Sequence, residues 1–187
     1  MPATVGYLNW MSAWSFPWSA SKHLTYQAPE APMPVAVDLS RRAKIDESGP
    51  KVKLTWQPLN ITVIAFLASN ENPEIVNDFL RVLPFTVMQD HGVVSGEIIF
   101  AWAPLVTTAQ PRLLERLCDA PVGRINFSHV TGQKVIINYG KVTEDLSLPV
   151  LGEILPEYKD QLAEVGRRVL RSTFETKEDI TLTMELV

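Results

Sequence analysis

Cysteine is nearly absent from this 187-residue sequence: Cys118 stands alone, so no intrachain disulfide can form, and the usage is that of a cytoplasmic protein. A membrane-length apolar run is also missing. The longest apolar stretch, 61–68, is interrupted by Thr62 and ends at Ser69 and Asn70, which reads as a buried strand. The first residues lack the basic start and apolar core of a secretion signal. Positive charge is short as well. A formal net charge of −4 argues against nucleic-acid binding, which draws on clustered Lys and Arg. The two small basic clusters, Arg41-Arg42-Ala43-Lys44 and Gly166-Arg167-Arg168, read as solvated surface. No glycine-rich nucleotide loop follows a strand, and three histidines with one cysteine make a poor metal set. Neither a cofactor nor a metal is expected.

What is present is a globular core. With 46% hydrophobic and 20% charged residues, the chain suffices for one domain with an appendage. Residues 1–50 read as a tryptophan- and proline-rich extension and 51–187 as the domain. Trp10, Trp14 and Trp18 are spaced by four, with Tyr7 and Met11 at helical spacing, so a helix there would carry one aromatic stripe. Pro17 ends or kinks it near Phe16, and Pro29, Pro32 and Pro34 mark an extended connector. Left exposed, such a stripe would aggregate. It is expected to pack on the domain's own surface, to roof a pocket, or to meet a second copy in a homodimer.

From residue 51 the periodicity becomes regular. Val52, Leu54 and Trp56 alternate with Lys53 and Thr55 as a half-buried strand, and 61–68 returns after a turn at Pro58 and Asn60. Asn72-Pro73 starts a helix in which Asn72 should accept from a free backbone N–H; Ile75, Val76, Phe79, Leu80 and Leu83 share its face until Pro84. Strands at 85–89 and 97–102 flank a loop over 90–96, a short helix opens at Pro111, and 123–128 pairs with 134–139. A second long helix covers 156–174, Cys118 sits buried on a helix face, and 180–187 is the final strand. Six or seven short antiparallel strands with two or three helices describe an α+β small barrel better than a doubly wound sheet.

Three segments resemble one family. Phe79-Leu80-Arg81-Val82-Leu83-Pro84-Phe85 is similar to the helix end of the compact microbial cyclophilin-like proteins. His91-Gly92-Val93-Val94-Ser95-Gly96-Glu97 resembles their His-x-x-x-Ser-Gly-Glu segment, and the stretch from Gly123 to Gly140 resembles their hairpin ending in aromatic-Gly. The resemblance covers 51–187 and implies a small β-barrel with helices at its openings. Within that family, the long helix before the last strand is most similar to cucumopine synthase. Those enzymes carry out Pictet–Spengler condensations of an aromatic amino acid, histidine or tryptophan, with 2-oxoglutarate. The arginine- and phenylalanine-containing site of prolyl isomerases is not recognisable, which ranks that activity last.

A condensation of this kind needs an acid to expel water from a carbinolamine, a pocket that aligns the attacking ring carbon, and a base for the final deprotonation. Glu97, opening a strand after a Ser-Gly turn, is the first candidate for acid or base, with a pKa raised by apolar neighbours. His91 is the proton-shuttling partner and Tyr139 a hydrogen-bond donor. Lys141, Arg81 and Lys134 are candidate clamps for substrate carboxylates, and Trp102 a stacking wall for an aromatic substrate. Each has a plainer reading as solvated charge or core packing. The expected partners are small molecules, an aromatic amino acid and an α-keto acid; the alternative is a non-catalytic module binding a metabolite or peptide.

Overall fold

Val52, Leu54 and Trp56 are completely buried, while Lys53 faces outward and pairs with Glu185 at 2.9 Å. This alternation, at about 1.5–3 kcal/mol for each large apolar side chain removed from water, fixes which face of each strand looks inward. A computed structural model describes residues 36–187; the expected Trp10, Trp14 and Trp18 stripe lies outside the described residues. In chain order come β1 (Lys51–Trp56), β2 (Ile61–Leu67), α1 (Pro73–Arg81), β3 (Phe85–His91) and β4 (Gly96–Trp102). They are followed by β5 (Leu114–Arg116), β6 (Arg124–Ser128), β7 (Lys134–Val142), β8 (Ser147–Ile154), α2 (Lys159–Arg171) and β9 (Thr181–Leu186).

The strands pair antiparallel in the order β2-β1-β9-β3-β4-β7-β6-β8, and β2 pairs again with β8. That last pairing closes an eight-stranded barrel and leaves no open edge in the ring. β5 stands outside, paired to the first half of β8. The α+β small-barrel class expected from the sequence is the observed one. Its interior holds Ile99, Ala101, Ile125, Phe127, Val135 and Ile137, joined by Ile75, Val76 and Phe79 from α1 and Leu162, Val165 and Val169 from α2. Trp56 donates its indole N–H to Gln89 at 2.8 Å, and Gln89 donates to the Phe100 carbonyl at 2.7 Å, which satisfies the polar atoms buried with the ring.

Several local expectations are corrected. β3 continues through Asp90 and His91, leaving a loop of only 92–95. No helix forms at Pro111. The amides of Arg112 and Leu113 are taken by the Asn72 side-chain oxygen at 2.9 and 3.0 Å, and Leu114–Arg116 pairs with β8. Asn72 therefore does not cap α1 with its side chain, which also donates to the carbonyls of Leu113 and Val150. Cys118 is half-buried on a one-turn helix, where Leu117 takes the buried position. β8 was not expected at all.

Outside the barrel wall, residues preceding β1 lie against it. Arg41 grips Glu71 with two bonds of 2.9 and 2.7 Å, and Ala43 is buried. Beneath them Arg124, at the start of β6, meets Glu115 of β5 at 2.8 Å and Glu153 of β8 at 3.1 Å, and donates to the Ala43 carbonyl at 3.2 Å. Burial pushes the Glu115 carboxyl up, and the Arg124 guanidinium pulls it back. No helix among the described residues is long and apolar enough to cross a membrane.

Candidate functional site

Three strands bring the acid–base candidates to one end of the barrel. β3 ends at His91, β4 begins beside Glu97, and Tyr139 lies near the end of β7. The local cause is a bulge. Between the pairs Ile98↔Asn138 and Gly96↔Val142, β4 advances two residues while β7 advances four. Glu97 thus faces Tyr139, Gly140 and Lys141 together, an irregularity of the kind that re-aims side chains beside active sites. Its Oε2 accepts the Lys141 backbone N–H at 2.5 Å. Gly140 is required by this close approach, because a Cβ there would overlap the Glu97 carboxylate.

His91 and Tyr139 point inward and are 9% and 6% exposed. The imidazole Nε2 and the phenol oxygen are 2.6 Å apart, with the rings edge to face at 5.6 Å and 67°. The His91 Nδ1 is buried with no hydrogen-bond partner among the described residues. Over this pair passes α2, whose Gly166 rests against the Tyr139 ring so closely that any side chain would collide with it. Desolvation lowers the His91 pKa below its ordinary 6.5, against the nearby Glu97 charge. The Tyr139 hydroxyl is pushed above 10.0 by burial first and by Glu97 second, while Arg167 opposes the rise. Both groups are thereby kept neutral near neutral pH.

Glu97 itself is exposed, contrary to the apolar surroundings expected for it. The bulge turns its carboxylate toward the rim rather than into the barrel. Lys141 shares this rim through its amide, with its side chain in solvent. Arg167, read from the sequence as plain surface, is the residue missed; a glycine in mid-helix immediately before it was the available signal. Its described partner is Glu164 at 2.8 Å, both side chains well exposed.

The other candidates lie elsewhere. Trp102 sits five residues along β4 from Glu97, roughly 17 Å at strand spacing, and on the opposite face because successive side chains alternate. Lys134, its partner in register, holds its Nζ 4.6 Å from the ring centres of both Phe100 and Trp102. Arg81 ends α1, pairs with Asp78 at 2.7 Å and is 76% exposed, near the opposite end of β3 from His91. A groove of about 320 Å³ runs over the outer face of β4 and β7, floored by Ile98, Phe100, Ile136 and Leu146. Lys134 and Glu144 line it, and the 91–95 turn closes one end, so His91 belongs to both the groove and the acid–base cluster. Neither Lys134 nor Glu144 forms an ion pair among the described residues.

No protein-family model and no curated protein sequence matches the chain. Among solved structures, McbB in complex with tryptophan superposes with a TM-score of 0.66 at 29% identity, over 72% of this chain and 44% of that one. The chain thus spans less than half of that protein's length. The solution structure of the hypothetical protein AF2241 from Archaeoglobus fulgidus matches with a TM-score of 0.50 at 11% identity, over 79% of this chain and 98% of that one, a likeness of fold alone. By fold the chain is a small-barrel relative of McbB.

Proposed function

We propose that this protein condenses an aromatic L-amino acid, tryptophan or histidine, with an α-keto acid such as 2-oxoglutarate in a cofactor-independent Pictet–Spengler reaction. The observation that carries the reading is the convergence of Glu97, His91 and Tyr139 from three strands onto one β7 bulge. The tryptophan held by McbB, a barrel of the same fold, supports the substrate class. Amino group and keto carbonyl first form a carbinolamine. Tyr139 assists departure of its hydroxyl as water, and the ring carbon attacks the resulting iminium. Glu97, open to the rim, takes the proton from the new ring junction. The outer-face groove meets this cluster only at His91, so in this reading Tyr139 and Glu97 act at the barrel mouth and not in the groove. Lys141 and Arg167 are the cations nearest the cluster for the keto acid.

The test is mass spectrometry of the purified full chain with pooled aromatic amino acids and 2-oxoglutarate. A product of mass equal to amino acid plus keto acid minus water, resistant to borohydride, is expected. It should vanish in Glu97→Gln, whose unfolding midpoint should match the parent's because the side chain is exposed. One observation favours a non-catalytic binding module instead: neither Glu97 nor Tyr139 lines the groove, whose apolar floor and Lys134 suit an amino acid. No product across the pool, together with saturable thermal stabilisation by one of the amino acids, would establish that reading.

A further inference from the structure

We propose that the groove over β4 and β7 binds one free apolar α-amino acid, held outside the barrel by both of its charges. Alternation divides these strands between two faces. Ile99 and Ile137 point into the barrel core, whereas Ile98 and Ile136 point outward into a separate apolar cluster with Leu117 and Leu148. Phe100 and Leu146 are only partly buried on that cluster, so the groove keeps an apolar floor that a ligand can cover. Its volume of about 320 Å³ lies at the small end of ligand pockets, which run to about 1,000 Å³. That suits a single amino-acid-sized molecule and not a folded partner.

The polar chemistry of the ligand follows from two charges on the walls. Lys134 and Glu144 both line the groove and both are half-buried. Neither forms an ion pair with the other or with any other described residue. The Lys134 Nζ lies 4.6 Å from the ring centres of both Phe100 and Trp102, which holds its charge at the aromatic end of the floor. A simple anion would be drawn to Lys134 and repelled by Glu144, and a simple cation the reverse. A zwitterion with an apolar body answers both walls and the floor together. Its carboxylate meets Lys134, its ammonium meets Glu144, and its side chain covers Phe100 and Ile136. The proposal rests on the groove of the binding-module reading and deepens it. It holds with or without turnover at the barrel mouth, because Glu97 and Tyr139 do not line the groove.

The test is NMR of the full chain carrying Glu97→Gln and labelled isoleucine methyl groups, with L-phenylalanine as the probe. Saturable shifts at Ile98 and Ile136 are expected, with Ile99 and Ile137 little moved. The half-ligands 3-phenylpropionate, without the ammonium, and 2-phenylethylamine, without the carboxylate, should each bind about tenfold more weakly or worse. L-Phenylalanine should lose a similar factor against Lys134→Met and against Glu144→Gln. No binding up to roughly 10 mM would overturn the proposal. So would shifts confined to Ile99 and Ile137, half-ligands that bind as tightly as the zwitterion, or unchanged affinity in both variants. The half-ligand comparison needs no substitution in the groove, so it decides the matter where a variant fails to fold. Mass spectrometry reports on the condensation separately: product without groove binding refutes this site alone, and groove binding without product refutes the condensation alone.

Discussion

Two polar clusters occupy the same stretch of barrel wall, one on each side of it. Ile125 pairs with Ile137, so Arg124 on β6 and Tyr139 on β7 lie within about a residue of one another along the wall. Arg124 faces outward with Glu115 and Glu153; Tyr139 faces inward with His91. The outer cluster is charged and internally matched, and it ties β5, β6, β8 and Ala43 together. The inner one is neutral and keeps Glu97 beside it in solvent. Burial alone thus does not mark a working site. A charge-paired set reads as architecture, and a neutral pair next to an exposed carboxylate is where acid–base chemistry would be sought.

The sharpest way to break the comparison is to unmatch the outer cluster. Arg124→Met strands the buried Glu115, while Glu153 keeps Lys159 at 3.3 Å, and urea unfolding should report a loss of about 3–5 kcal/mol. Adding Glu115→Leu should recover most of it; no recovery would mean that Arg124 acts by packing instead. Next in size is Gly166→Ala, which drives a methyl into the Tyr139 ring and should cost about 1–3 kcal/mol. It should also shift the ring NMR signal of His91 through displacement of its partner Tyr139. Retention of both stability and signal would show that α2 yields without disturbing the pair.

The smallest effect is a difference in pH response, followed as the unfolding midpoint between pH 7.5 and 4.5. His91 has a lowered folded pKa, so the unfolded chain binds the proton more readily, and stability is lost as pH falls below about 6.5. Glu115 has a raised folded pKa, so its contribution runs the other way and weakens as pH rises above about 4.5. His91→Gln should abolish the loss on acidification, and Glu115→Gln should steepen it. Identical profiles for the two variants would erase the distinction between the clusters.

Much of the fold was legible because alternation is unambiguous where one face is buried: β1, β2 and β9 could be read residue by residue. β8 was not, since Pro149 and Gly152 interrupt its apolar pattern, and its pairing with three other strands is a property of the whole ring. The segment after Pro111 has a helical apolar spacing that Asn72, forty residues earlier, overrides by taking its amides. The His-x-x-x-Ser-Gly-Glu and Tyr-Gly-Lys segments lie on β3, β4 and β7, which the ring brings side by side. The β7 bulge that turns Glu97 outward has no one-dimensional signature. That Trp102 and Glu97 lie on opposite faces follows from their odd spacing once both are placed on β4.

The ring closure has a kinetic meaning. Val52 of β1 pairs with Leu186 of β9, and Ala65 of β2 with Ile154 of β8. Both seams join segments from opposite ends of the described chain, so the interior stays unsealed until β9 has been made. During synthesis the local pairs β1–β2, β3–β4 and β6–β7 can form, but the ring stays open until the ribosome completes β9. Folding should then be slow for a chain of this size, with an appreciable window in which aggregation competes with closure.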